Sequence, residues 1–221
     1  MNRPVTPIRS VLPLKGTLFT CPECEQELPF GLFCSRCSIS FPERNQHSPF
    51  ALLGLEERFE QDPEVLDQAI DEARSNLMAA TRSERGSNPE HPARWARGEL
   101  DRIAALLNRP WTRAEWLLHN GLSKAGCTTP TIVTTIKQND DLHEIKRELD
   151  GRPGLDRRRA LHEYLSKMRI EIESDLTEDL DLLDDVNDPP ETEIVNAIGV
   201  RIERLRVVYE LLAVAMRRWK P

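Results

Sequence analysis

CPECEQELPFGLFCSRC, at residues 21–37, decides the fold of the first part of this chain. It contains two Cys-x-x-Cys pairs, Cys21 with Cys24 and Cys34 with Cys37, separated by nine residues. Each pair can hold one side of a tetrahedral metal ion, and a short β-hairpin would bring the second pair round to complete the site. Zinc is the favoured ion, and its role would be structural, because sulfur fills all four positions and leaves none for water or substrate.

Other interpretations of these cysteines stay open. Four thiolates also suit iron, as in a rubredoxin-like electron carrier, and two disulfides or four unrelated thiols are further alternatives. A nucleic-acid-binding zinc ribbon is disfavoured because Glu23, Glu25 and Glu27 are opposed only by Arg36 between the outer cysteines. The fifth cysteine, Cys127, has no evident partner, and we expect an inert thiol.

Composition narrows the class of protein. The chain has 221 residues, 39% of them hydrophobic and 30% charged, with a net charge of −7. This acidic balance argues against a nucleic-acid binder, whose affinity comes largely from Lys and Arg. No apolar run approaches the length that spans a bilayer, and the N-terminus lacks the apolar core of a secretory signal. We therefore expect a reduced, cytoplasmic protein without membrane or nucleic-acid partners.

Helical periodicity follows the cysteine segment. Asp62-Pro63-Glu64 reads as a helix start, with Leu66, Ile70, Ala73 and Leu77 at helical spacing after it. A second helix contains Ala96, Leu100, Ile103 and Leu107, and the polar stretch 82–92 predicts a loop between the two helices. Beyond Pro130, three longer amphipathic helices with short connections predict an antiparallel bundle.

These patterns predict a mainly α fold in four parts. Residues 1–15 form a flexible tail, 16–46 a four-cysteine zinc-binding module with a β-hairpin, 47–123 a helical hairpin, and 124–221 a three-helix antiparallel bundle. No phosphate-binding loop, nucleophile motif or metalloprotease motif occurs, and the sequence predicts a protein that is not an enzyme.

Two stretches resemble the HscB-type J-domain co-chaperones of iron–sulfur cluster assembly. They are Phe50-Ala51-Leu52-Leu53-Gly54-Leu55 and, more distinctively, Leu106-Leu107-Asn108-Arg109-Pro110-Trp111-Thr112-Arg113-Ala114-Glu115-Trp116-Leu117-Leu118. Some eukaryotic members of that family carry a four-cysteine module before the J-domain, and all continue into a three-helix bundle. The resemblance covers nearly the whole chain and implies that 47–123 is J-domain-like.

The chain departs from the family at the chaperone trigger. J-domains carry His-Pro-Asp in the loop after their second helix, and this triplet is required for ATP hydrolysis by the partner chaperone. Counted from Gly54, Met78, Ala79 and Ala80 hold that place here. The preceding helix is acidic where J-domains are basic. Stimulation of an HscA- or DnaK-class chaperone is therefore expected to be impaired or lost.

The resemblance also implies a client-binding surface for an iron–sulfur scaffold protein. Matched to the family, this surface comprises Ile132, Val133, Ile136, Asp140, Glu144 and Ile202. The alternative is that the isoleucines simply face the bundle core. Two functions follow as expectations: an HscB-like co-chaperone that binds a scaffold or client protein, or a zinc-containing protein–protein adaptor that kept the fold and changed partners.

Overall fold

A computed structural model describes residues 19–81, 92–124, 127, 140–185 and 190–217, and it confirms a mainly α protein with a small two-stranded sheet near the N-terminus. The described elements are, in order, β1 (Phe33–Cys34), β2 (Ile39–Ser40), a 3₁₀ turn (Pro42–Gln46), α1 (Pro49–Leu52), α2 (Pro63–Thr81), α3 (Pro92–Leu107), α4 (Pro110–Lys124), α5 (Asp140–Asp150), α6 (Leu155–Asp185) and α7 (Thr192–Arg217). Across these residues, no helix is both long enough and apolar enough to cross a bilayer.

The chain divides into two compact units. The first contains the described residues up to 57 together with 61–108, and the second contains 58–60 together with those from 109 onward. This division differs from the predicted boundaries, because the cysteine module joins α1–α3 and because α4 joins the later helices. Periodicity in a sequence shows that a helix has a buried face, but it does not show which neighbour covers that face.

The first unit is built on two predicted helices and the cysteine module. α2 buries Leu66, Ile70, Ala73 and Leu77 and packs against α3, which buries Ala96, Leu100, Ile103 and Leu107. The sheet and α1 also pack on α3. The start of α2 is capped as the sequence predicts, since the Asp62 carboxylate accepts a hydrogen bond from the Glu64 amide at 2.9 Å.

The second unit is a helical assembly of α4, α5, α6 and α7. α6 and α7 are antiparallel, because Asp179 pairs with Arg201 whereas the earlier Glu173 pairs with the later Tyr209. α7 also packs against α4 and α5. In the described residues this unit therefore contains four helices, one more than the predicted bundle, because α4 packs on α6 and α7.

Candidate metal centre

Each of the two cysteine pairs is followed by a residue with left-handed backbone. In the first, the Cys21 amide donates to the Gln26 carbonyl and the Cys21 carbonyl accepts from the Glu25 amide, both at 2.9 Å. Glu25 and Ser38, each directly after the second cysteine of its pair, both have a φ of 57°. This left-handed backbone turns the chain tightly at each pair, and the two turns direct their sulfurs toward each other.

The four sulfur atoms form a compact cluster. The Sγ atoms of Cys21 and Cys37 are 3.9 Å apart, those of Cys24 and Cys34 are 3.7 Å apart, and all four lie within 4.8 Å of one another. Four sulfurs at about 2.3 Å from a tetrahedral ion are separated by about 3.8 Å. The cluster therefore has the size that a tetrahedral ion requires, and these four cysteines could hold a metal ion.

The two-stranded sheet helps to place the second cysteine pair beside the first. β1 and β2 are antiparallel, with Phe33 opposite Ser40 and Cys34 opposite Ile39, and an isolated bridge joins Thr20 to Glu27 across the first turn. The predicted β-hairpin of the module is thus present, although each strand has only two residues.

Burial differs between the two cysteines of each pair. Cys21 and Cys34 are buried, with 1% and 0% of their surface exposed, and they share a small apolar cluster with Leu28 and Phe41. Cys24 and Cys37 are half-buried. The first cysteine of each pair thus lies in the interior of the module, and the second lies nearer to its surface.

The pKa values of the thiols are spread apart by their contacts. Burial acts to raise the pKa of Cys21, but hydrogen bonds from the backbone of Glu23 and Cys24 and from neighbouring thiols lower it to about 7. The hydrogen bond with Cys24, burial and the other thiols raise the pKa of Cys37 to about 12, and burial raises that of Cys34. A divalent cation bound by all four sulfurs would stabilise their thiolate forms.

Arg44 connects several segments of the cysteine module. Its guanidinium lies 4.3 Å from the ring centre of Phe41 and 5.1 Å from that of Phe19. It also donates hydrogen bonds to the carbonyls of Gly31 and Thr20, at 3.0 and 3.1 Å. Cation–π contacts and two charge-assisted hydrogen bonds thus join segments that are far apart in sequence. Sequence analysis did not identify this residue.

Gly31 is where the module meets the helices. Its amide donates to the Leu52 carbonyl at 2.9 Å, and a Cβ there would lie 2.5 Å from the Phe19 ring and 3.1 Å from a Leu52 methyl group. We expect Gly31→Ala to lower the free energy of unfolding of the first unit by about 1–3 kcal/mol, because a well-packed site would have to move. Urea denaturation would measure this.

The matched control is Gly98→Ala in α3, where an added Cβ meets nothing within 4 Å. That change should raise the free energy of unfolding by about 0.5–1 kcal/mol, since alanine is the better helix former. Equal effects of the two substitutions would contradict the close approach at Gly31.

The predicted trigger positions lie on a helix. Met78, Ala79 and Ala80 occupy the last turn of α2, which continues to Thr81, instead of the loop in which J-domains carry their triplet. Methionine and alanine are strong helix formers, which explains the extension. Met78 and Ala79 are exposed and Ala80 is buried, so only part of this turn faces solvent.

The surface of α2 is acidic, as its sequence predicts. Glu64, Asp67, Asp71 and Glu72 are all exposed. The one arginine of the helix, Arg74, pairs with Asp71 at 3.0 Å. This pairing reduces the positive charge that α2 can offer a partner.

The predicted client-binding residues are only partly covered by the structure. Ile132, Val133 and Ile136 lie outside the described residues, and Asp140 is the first residue of α5, with its side chain also outside them. Glu144 is exposed on α5 and lies 3.9 Å from Arg147. Ile202 on α7 is 7% exposed and packs within the second unit, so its side chain offers little surface to a partner.

A polar network around the buried Arg113 in the second unit was not predicted. Arg113, only 8% exposed, donates from Nε to the Phe59 carbonyl at 2.8 Å and its guanidinium lies 5.6 Å from the Phe59 ring centre. The Tyr209 hydroxyl donates to the Glu173 carboxylate at 2.6 Å, and Arg169 lies 3.7 Å from the same carboxylate. This network joins α4, α6 and α7 to the segment 58–60.

Burial and neighbouring groups shift the pKa values of Arg113 and Tyr209. Burial lowers the pKa of Arg113, while the charges of Tyr209 and Glu173 act in the opposite direction. Burial and the hydrogen bond to Glu173 raise the pKa of Tyr209 above its ordinary value. The hydroxyl therefore stays protonated and remains a donor to Glu173.

Comparison with known proteins gives no relative. No family model, no curated protein and no solved structure matches this chain.

Proposed function

We propose that this protein is a zinc-containing, HscB-like co-chaperone that binds a scaffold or client protein in iron–sulfur cluster assembly and has no enzymatic activity of its own. The order of its parts supports this proposal: a four-cysteine module, a pair of helices that pack together, and then a separate helical unit. The family that the sequence resembles has the same order.

The observation that carries the proposal is the placement of α4. Its first nine residues, Pro110–Leu118, belong to the stretch with the most distinctive resemblance, and α4 joins α5–α7 in one unit. Arg113 of this stretch is buried and hydrogen-bonded, so the motif has a structural role in forming the helical unit. A helical unit of this kind suits binding of a protein partner through its surface.

Zinc is the metal we propose for the four cysteines. A complete set of thiolate ligands suits a structural Zn²⁺ ion. The ion would be held by Cys21, Cys24, Cys34 and Cys37, and it would stabilise the hairpin. Iron has the same ligand preference in rubredoxin-like sites. Metal analysis of the purified protein separates the two ions, since iron would give a coloured protein.

The second candidate function is a protein–protein adaptor without a chaperone partner. The acidic surface of α2 and the helical Met78–Ala80 turn favour it, because a J-type contact uses a basic helix followed by a loop triplet. Like charges across an interface weaken binding and slow encounter. On either proposal, ATP hydrolysis by an HscA- or DnaK-class chaperone should rise little when this protein is added.

The test is a pull-down with the scaffold protein of the same organism. We expect binding to be lost in the double variant Ile132→Asp plus Ile136→Asp, because charge would replace the proposed apolar contact. Ile170→Asp is the matched control, since Ile170 is an exposed isoleucine on α6. Binding that survives the double variant would refute the client surface, and the absence of any binding by the unaltered protein would favour the adaptor.

A further inference from the structure

The four-cysteine cluster has a half-buried edge and a fully buried edge, and this difference affects which cysteines an oxidant reaches first. Cys24 and Cys37 are half-buried, whereas Cys21 and Cys34 are closed off by the apolar cluster with Leu28. A small oxidant that approaches from solvent therefore meets the second cysteine of each pair first. Metal-bound cysteines are already thiolates, and the thiolate is the form that reacts with oxidants.

We propose that Cys24 and Cys37 are sites of oxidation by hydrogen peroxide, and that oxidation releases the metal and forms the disulfides Cys24–Cys34 and Cys21–Cys37. This inference rests on the proposed metal centre. It assigns a modification to that centre and selects one of the three ways in which four cysteines can pair.

Both proposed pairs have their sulfurs in direct contact. The sulfur of the half-buried Cys24 lies 3.7 Å from that of Cys34, and the sulfur of the half-buried Cys37 lies 3.9 Å from that of Cys21. Each half-buried cysteine thus has a buried cysteine of the other pair in van der Waals contact. In a disulfide the two sulfurs are about 2.05 Å apart. The two sulfurs of each proposed pair must therefore move together by less than about 2 Å.

The chemistry balances with peroxide as the oxidant. The thiolate of Cys24 attacks one oxygen of hydrogen peroxide, the O–O bond breaks, and sulfenic acid and hydroxide form. The thiolate of Cys34 then attacks the sulfenic sulfur, so that an S–S bond forms and a second hydroxide leaves. Two thiolates lose two electrons and one peroxide gains them. Cys37 and Cys21 consume a second peroxide in the same way, and the metal loses its last ligands.

The pairing across the two turns has a structural result. Disulfides within each Cys-x-x-Cys pair would leave the two turns unconnected once the metal had gone. Disulfides between the pairs close loops of 10 and 16 positions and keep the first turn tied to the second. The oxidised protein should therefore keep its hairpin without metal, whereas the reduced metal-free protein should not.

The test uses the full chain with Cys127→Ser, so that only the four clustered cysteines react. Metal content is measured first, and peroxide is then added with a chromogenic zinc indicator present. We expect release of the bound metal and a protein mass roughly 4 Da below that of the reduced metal-free chain. Cleavage after Glu23 and Glu27 by a glutamyl endopeptidase and after Arg36 by trypsin places the four cysteines on four separate peptides. Mass spectrometry then identifies which peptides are joined.

Joined peptides of Cys24 with Cys34 and of Cys21 with Cys37 support the inference. Joined peptides within either Cys-x-x-Cys pair, or a metal that stays bound at peroxide levels that oxidise a free thiol, would overturn it while leaving the metal centre intact. A reduced protein without metal would overturn the centre itself. Limited labelling of the metal-bound protein by N-ethylmaleimide gives an independent reading, since all four sulfurs are then thiolates and the less buried Cys24 and Cys37 should react before Cys21 and Cys34.

Discussion

Replacing Cys34 with serine is expected to unfold the whole first unit, and removal of the metal by a strong chelator should do the same. Cys34 is fully buried, belongs to β1 and contributes to the small apolar cluster of the module. Serine is a poor ligand for zinc, and structural sites of this kind contribute about 10–16 kcal/mol of apparent binding energy in small zinc modules. The free energy of unfolding of an ordinary domain is about 5–15 kcal/mol. The apparent binding energy of the metal is therefore larger than the stability of most domains.

The unfolding should extend beyond the hairpin because the module is continuous with the helices. Gly31 is hydrogen-bonded to Leu52, Asn76 of α2 donates to the Ser35 hydroxyl at 3.1 Å, and Arg102 of α3 donates to Asn45 at 3.3 Å. β1 and β2 also pack on α3. Loss of a metal held by the four cysteines would therefore remove one side of the core that α2 and α3 share.

Hydrogen exchange with mass spectrometry would measure this effect separately in each unit. We expect α2 and α3 to lose protection in Cys34→Ser while α6 and α7 keep theirs. Cys127→Ser is the matched control, since Cys127 is half-buried and lies outside the sulfur cluster. Protection of α2 and α3 that is unchanged in Cys34→Ser would contradict a structural role for the metal.

The four-cysteine cluster was predictable from sequence because its geometry is mostly local. A Cys-x-x-Cys pair places two sulfurs on one turn whatever the rest of the chain does, and the spacing between the pairs leaves room for one hairpin. The buried faces of α2 and α3 were predictable for a similar reason, since their apolar residues recur at helical spacing. Local rules of this kind do not depend on distant residues.

The contacts that the sequence did not predict join residues that are far apart along the chain. Arg113 looks like a solvent-exposed arginine on an amphipathic helix, and its burial depends on Phe59, which lies 54 positions earlier. Arg44 depends in the same way on Phe19 and Thr20. The allocation of α4 to the second unit follows from such contacts, and no periodic pattern encodes them.

Arg113→Ala should lower the free energy of unfolding of the second unit by about 3–5 kcal/mol, because it empties a buried site and breaks a polar network at the same time. The Phe59 carbonyl would lose its donor at 2.8 Å, and the Phe59 ring, 4% exposed, would lose the guanidinium that lies against it. Glu173 would keep its hydrogen bond from Tyr209 but lose a nearby positive charge. Chemical denaturation followed by hydrogen exchange in α4 and α7 would measure the loss.

Two further variants distinguish the loss of the polar network from a general loss of stability in the second unit. Tyr209→Phe keeps the ring against Trp111, at 5.3 Å between ring centres, and removes only the hydroxyl that donates to Glu173, so we expect a smaller loss of about 1.5–3 kcal/mol. Arg147→Ala removes an arginine whose side chain is 78% exposed on α5 and should change stability by less than about 0.5 kcal/mol. A loss in Arg113→Ala no larger than in Arg147→Ala would mean that the second unit does not depend on the guanidinium, and that the segment 58–60 is held by the apolar contacts of Phe59 alone.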